Sequence, residues 1–263
     1  VIIVDDGSTR PEALACLAAI QKQDHGFPLQ VYTQPNLYLG ASRNLAASHA
    51  KGKYLLFMDD DNLAKPQEIT ALVSAMEYAN ADIITSFADT FRSRDIGNLA
   101  AAASKRIVYF GADLTSGMFR NPYGDSNCLV RRSVFEELGG FTEDYKIGRD
   151  DQEFFSRAVL NGMTLYVLPE AVYWYRLSST RMRQDQFSQF AGMQRVGNPY
   201  IDVPGLPVEY ANILRYSQGL AALRLGIVAN TMSQLSQNSR LRKLVQRFPV
   251  IYRALGKLHR MIT

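Results

Sequence analysis

Val1–Thr9 (VIIVDDGST) decides the reading of this chain. Four consecutive β-branched residues run into two aspartates, a glycine and two hydroxyls. That is the pattern of a strand buried on both faces that ends in a turn. Working outward, Pro11–Gln23 carries Leu14, Leu17, Ala18 and Ile20 at helical spacing, with Thr9 or Arg10 near its start. A short strand is expected over Leu29–Thr33, a helix over Gly40–Ala50 stopped by Gly52, and a strand over Lys53–Met58 that runs into Asp59-Asp60-Asp61-Asn62. A helix from Pro66 to Ala79 and a strand from Ala81 to Phe87 complete this half. Strands alternating with helices of this length predict an α/β fold with a mostly parallel sheet flanked by helices. Ligands of such sheets lie at the carboxyl ends of the strands, so Asp5-Asp6 and Asp59–Asp61 are expected at one crevice.

The second half is less regular. Ser116–Gly124 reads as a loop rich in Gly, Asn and Pro, Cys128–Val130 as a strand, and Ser133–Leu138 as a helix closed by Gly139-Gly140. Asp151–Asn161 reads as a helix that buries Phe154, Phe155, Ala158 and Val159 and stops at Gly162. Thr164–Leu168 and Ala171–Tyr175 are strand-like, and Glu209–Met232 reads as a long helix.

The 263 residues suffice for one large domain or two small ones, and a composition 47% hydrophobic and 21% charged is that of a globular protein. The net charge of +4 comes from the end of the chain: Arg240, Arg242, Lys243, Arg247, Arg253, Lys257 and Arg260 have no acidic residue among them. Without them the body is slightly acidic, which argues against a nucleic-acid partner. Apolar residues at helical spacing between these cations predict a helix over 240–262 that packs on a domain or docks on an anionic membrane face. Two cysteines, Cys16 and Cys128, read as free thiols of a reducing, cytoplasmic setting. No apolar run reaches the length of a membrane span. The chain opens without Met inside a strand, which reads as a trimmed start.

Three aspartates in a row at a strand end repel one another, and hard oxygen donors of this kind suit Mg²⁺ or Mn²⁺ shared with substrate phosphates. A solvated acidic turn capped by Asn62 is the plainer alternative. Asp150, Asp151 and Glu153 open a helix, where carboxylates either complement the macrodipole or supply a general base. Arg43, on the helix after the second strand, has the planar fork that pairs with a diphosphate.

Taken together, VIIVDDGST (1–9), NLYLGASRN (36–44), YLLFMDDDN (54–62), NCLVRRSVFEELGGFTE (127–143) and GRDDQEFFSR (148–157) resemble glycosyltransferase family 2, inverting enzymes with the GT-A fold. The likeness covers residues 1–182 in the family's order. It implies a catalytic domain over 1–182, with a nucleotide-binding half at 1–90, an acceptor-binding half at 91–182, and a helical extension over 183–263. It also implies a UDP-sugar as donor and a saccharide or lipid-linked acceptor at the inner membrane face. By the same resemblance, Asp6, Arg43, Asp59 and Asp60 bind the nucleotide-sugar, Asp61 with Asp59 holds Mn²⁺ or Mg²⁺, and Asp151 is the catalytic base. Gly124, Asp125, Asn127, Asp150, Trp174 and Arg176 would line the acceptor side. The chain departs from the family in three respects. A first strand is expected before Val1, Tyr173–Thr180 (YWYRLSST) lacks the family's histidine, and no Q-x-x-R-W of the processive synthases is found. Two rival readings stay open: an impaired relative that only binds sugar, and a phospho-receiver module using Asp5, Asp6, Asp59, Thr85 and Lys105.

Overall fold

The computed structural model describes residues 1–92, 99, 105–177, 186–201, 203–204, 208–209 and 212. In it the opening run becomes β1 (Ile2–Asp5), which pairs in parallel with β2 (Gln30–Thr33) as a two-stranded sheet. Between them lies α1 (Pro11–Lys22), with Pro11 at its first position, where a missing N–H costs nothing. Its apolar stripe is real but shallow. Leu17 and Ile20 are half-buried, whereas Leu14 and Ala18 are exposed, and no residue of the helix is fully buried.

A second sheet has the order β3–β7–β5–β8–β4, with β6 added on β5. Its strands are β3 (Tyr54–Leu56), β4 (Leu63–Ala64), β5 (Ile83–Phe91), β6 (Lys105–Ile107), β7 (Leu129–Arg131) and β8 (Leu165–Arg176). The α/β architecture with flanking helices is as expected, but the strand directions are mixed rather than mostly parallel. Among these strands only β5 and β8 run parallel; β3–β7, β5–β7, β4–β8 and β5–β6 are antiparallel. The cause is the connections. Apart from β5 and β6, the antiparallel neighbours are not consecutive in sequence, so long connections that no local pattern encodes set their directions. The two strands expected at 164–168 and 171–175 are one, since Pro169 and Glu170 are looped out between Leu168, opposite Ser86, and Ala171, opposite Phe87.

Alternation on the strands gives the sheet two cores. Ile83, Val130 and Leu55 face one side, with Phe57, Phe135, Phe141, Phe154 and Phe155. Ile84 and Leu129 face the other, with Leu72 and Met76 of α3 (Glu68–Ala79) and Tyr173. The phenylalanines form a cluster of tilted and edge-to-face pairs, with Phe141 and Phe154 centroids 4.7 Å apart. This cluster anchors α5 (Arg132–Glu137), the helix after the short α4 (Leu114–Gly117), and α6 (Asp150–Leu160), the helix that opens with the acidic residues. Cys128 is buried, Cys16 exposed, and both are free thiols.

The chain divides into two compact units, Val1–Arg181 and Met182–Thr263. The second contains α7 (Gln186–Gly197) and a 3-10 turn over Asn198–Tyr200. The helix expected over Glu209–Met232 lies largely, and the basic stretch 240–262 wholly, outside the described residues. Among the described residues no helix is long and apolar enough to cross a membrane.

Candidate active site

The site is assembled around Arg43, on α2 (Leu39–His49). Its Nη2 donates to Asp59 Oδ1 at 2.6 Å and to Ser126 Oγ at 3.0 Å, while Nη1 donates to Asp150 Oδ2. Ser126 Oγ in turn donates to Asp59 Oδ2 at 3.1 Å. The strand-end acids, the 121–127 loop and the first turn of α6 thus share one guanidinium. Burial alone would lower Arg43's proton affinity, but Asp150 and Asp59 raise it well above the ordinary arginine range, so it stays charged.

Neighbouring residues fix this arginine in place. Asn44 donates to Phe141 O at 2.8 Å and accepts from the Phe141 N–H at 2.9 Å. Arg157 on α6 holds the same turn by donating to Leu138 O and Gly140 O, and it pairs with Glu153 at 2.9 Å. The Gly139-Gly140-Phe141 segment is therefore a clasp between α2 and α6 that keeps Arg43 and Asp150 in register.

The carboxylates around Arg43 outnumber it. Asp151 is half-buried, with protein groups packed around its carboxyl. Burial pushes its carboxyl up to about 7, Asp150 and Asp125 push it further, and the Gln152 backbone and Arg43 oppose them. Burial likewise raises Asp125 to about 6, with Asp59 reinforcing it and the Asn127 N–H and Arg43 resisting. Asp61 is also raised, first by desolvation and then by Asp59 and Asp60, against the pull of Arg176. Arg176 approaches from β8, its Nε donating to Asp61 O at 3.1 Å. Among the described residues no three His, Cys, Asp or Glu side chains close a protein-only cage. Surplus negative charge on hard oxygen donors fits a divalent ion that takes one or two carboxylates and completes its shell with water and phosphate.

Three buried polar atoms next to this cluster in sequence or in field have no hydrogen-bond partner among the described residues: Asn62 Nδ2, Asn127 Oδ1 and Tyr173 OH. Buried polar groups are nearly always paired, so these call for water or a ligand. Asn127 spends its Nδ2 on Glu68 at 2.6 Å, and burial raises the Glu68 carboxyl. The Tyr173 hydroxyl is raised by burial, then by Asp125.

Of the residues singled out in the sequence, Arg43, Asp59, Asp61, Asp125, Asp150, Asp151 and Arg176 converge here, with Asn127 beside them. Asp60 is exposed and acts on Asp61 through charge. Asp5 caps its own turn by accepting from the Ser8 N–H at 3.0 Å. Asp6 holds the 34–38 loop: it accepts from Gln34 Nε2 and from the N–H groups of Leu37 and Tyr38, all within 2.8 Å. Three of its roughly four acceptor positions are thus occupied. The Trp174 ring is covered by the Lys65 ammonium 4.4 Å from its centroid; it is its neighbour Tyr173, on the opposite face of the strand, that feels Asp125 and Asp59. Asn121, Ser126, Tyr109 and Tyr173 are site residues that the sequence reading missed. The receiver pattern fails locally, since Thr85 is buried and its hydroxyl is spent on Tyr123 O at 2.5 Å.

Gly124 is required by close approach. At φ +154°, a Cβ there would stand 2.3 Å from Thr85 Cβ. Gly124→Ala is expected to destabilise by about 1–3 kcal/mol or more and to displace the 121–127 loop. A urea midpoint equal to that of the wild type would show that this contact is not constraining.

Comparison with known proteins adds a family to this geometry. The model of glycosyl transferase family 2 matches residues 1–139, just over half of the chain. Among curated proteins, an uncharacterized glycosyltransferase of Haemophilus influenzae is 28% identical over 186 residues, which are 67% of this chain and 56% of that protein. The O-antigen biosynthesis protein RfbC of Myxococcus xanthus is 26% identical over 69% of this chain and 16% of its own length. The chain spans little more than half the length, or less, of these relatives. Among solved structures, S. aureus TarS (residues 1–349) in complex with UDP-GlcNAc superposes with a TM-score of 0.59 at 17% identity, covering 94% of this chain and 68% of that one. The mannosyltransferase PcManGT of Pyrobaculum calidifontis, in complex with GDP-Man and Mn²⁺, gives 0.54 at 16% identity, covering 98% and 75%. At such identities the likeness concerns the fold.

Proposed function

Because the chain belongs to glycosyl transferase family 2 and has that family's GT-A fold, we propose that it moves a sugar from a nucleoside diphosphate donor to a hydroxyl of a saccharide or lipid-linked acceptor, with inversion. The observation that carries this reading is the shared guanidinium: Arg43 ties the acids at the end of β3 to the helix that presents Asp151. In this assignment the nucleotide-sugar lies over the ends of β1 and β3, with Asp59 and Asp60 near its ribose and diphosphate. Asp6 shapes the 34–38 wall of that pocket and keeps one acceptor position for the base. A UDP-sugar is the donor proposed, as in the TarS complex, with a GDP-sugar as the variant suggested by PcManGT.

Asp61 and Asp59 would hold Mn²⁺ or Mg²⁺. When bound, such an ion neutralises charge that develops on the departing diphosphate. Asp151, across the cleft, takes the proton of the acceptor hydroxyl as its oxygen attacks the anomeric carbon. Asp125, Asn127 and the Tyr173 hydroxyl line the acceptor side, where the unpaired Asn127 Oδ1 and Tyr173 OH have capacity for sugar hydroxyls. We assign residues 1–182 to catalysis and 183–263 to an extension.

The test is a donor-hydrolysis screen of UDP-glucose, UDP-galactose, UDP-GlcNAc and GDP-mannose with Mn²⁺. At least one donor is expected to be cleaved to its nucleoside diphosphate, and EDTA should stop the reaction. A donor that raises the melting temperature while none is cleaved would remove the transferase reading and leave a binding module.

A further inference from the structure

Asn121 spends both ends of its amide. Its Oδ1 accepts from the N–H groups of Tyr123 at 3.1 Å and Gly124 at 3.4 Å. Its Nδ2 donates to Gly124 O at 2.6 Å and to Asp151 Oδ2 at 3.3 Å. Only an oxygen can accept from two backbone N–H groups, so the network itself settles the orientation of the amide. Five positions on, the same loop presents Ser126, which holds Asp59 and Arg43. One short segment therefore touches the acid proposed as base and an acid proposed for the metal.

We infer that Asn121 is a positioning residue for Asp151: it engages Oδ2 from a rigid turn and so leaves Oδ1 to receive the acceptor proton. This rests on the assignment of Asp151 as base. A carboxylate torsion is broad and lacks deep wells of its own, so a carboxylate in a cleft points where its partners hold it. At 3.3 Å the contact is long for a hydrogen bond, which suits orientation better than strong binding. The donor also favours the ionised form of Asp151. The charged and titratable groups facing that carboxylate are Asp150 on its own helix, Asp125 on the loop, Arg43 on α2, and Tyr109 and Cys128 beyond them. None of these is altered in the variants below.

Asn121→Asp distinguishes the accepting end of the side chain from its donating end. It keeps acceptors for the Tyr123 and Gly124 N–H groups but sets an acceptor in place of the donor that faces Gly124 O and Asp151. With Mn²⁺ and the nucleotide-sugar hydrolysed fastest in the screen, kcat is expected to fall about 10- to 100-fold. KM for the donor should stay near the wild-type value, and the acid limb of kcat/KM should move to higher pH. Asn121→Ala, which adds no charge, should move the limb in the same direction by less. Melting curves with and without UDP establish that both variants fold and bind.

An unmoved acid limb and unchanged kcat in both variants, with Asp151→Asn inactive, would overturn the role of Asn121 while sparing the base assignment. Parallel loss of donor binding and kcat would also overturn it, since the contact would then be purely structural. Hydrolysis that survives Asp151→Asn would remove the base, and with it anything for Asn121 to position.

Discussion

Asp151→Asn is expected to abolish transfer, lowering kcat by about 10²–10⁴-fold, the range that a positioned base contributes, while UDP still binds. In the wild type the profile of kcat/KM should rise through about pH 7, where the buried carboxyl gives up its proton, because only the ionised form can accept one from the acceptor. The same group makes a prediction of opposite sign for stability. The unfolded chain releases this proton near its ordinary value of about 3.9, whereas the native protein retains it up to about 7. Across that interval the native state binds more protons than the unfolded state, so stability falls as pH rises. Asn cannot ionise and escapes this penalty. At about 1.4 kcal/mol per pKa unit, Asp151→Asn should stabilise the metal-free protein by a few kcal/mol at pH 8 and by little at pH 4. Urea unfolding in EDTA at the two values measures this. A variant less stable than wild type at pH 8 would show that the carboxylate is not under strain.

How far the site could be read from the chain depended on whether its parts are local. The acids at the ends of β1 and β3 were legible because an apolar run followed by Asp is a local pattern, and so was the buried face of α6, where Phe154, Phe155 and Ala158 recur at helical spacing. The stripe on α1 misled because periodicity reports which face turns inward and not what covers it: Leu14 keeps 46% of its surface. The two residues of β4 and the three of β6 are too short to show a period. Asp150 looked like a helix-capping acid. Its pairing with Arg43 joins residues 107 positions apart, which no local pattern encodes. Asn121 stood in a stretch read as a Gly-, Asn- and Pro-rich loop, but turn chemistry does not tell which side chain of a loop faces inward.

Arg43→Ala is the second change expected to be severe. Arg43, Asp150 and Asp59 keep only 11%, 7% and 31% of their side-chain surface, so the guanidinium neutralises two acids that water reaches poorly. Its removal strands Asp150 and Asp59 beside Asp151 and Asp125, all four being acids that interact with it now. Breaking a buried pair from one side costs about 3–5 kcal/mol, which for a chain of this size lowers Tm by about 10 °C. Lysine should restore only part of this, because one ammonium cannot reproduce the fork that spans Asp150, Asp59 and Ser126. The acid limb of the transfer reaction should also move to higher pH, since Arg43 now favours the charged form of Asp151. A double-mutant cycle distinguishes this account from a simple loss of packing against Phe141, whose ring centroid lies 5.4 Å from the guanidinium carbon. Asp150→Asn alone should destabilise by leaving the guanidinium under-paired, yet in the Arg43→Ala background it should stabilise by removing a stranded charge. If Asp150→Asn destabilises equally in both backgrounds, the two residues are not coupled. Arg43 would then be a packing arginine, and the link between the acids of β3 and the base helix would have to be sought in the Ser126 loop alone.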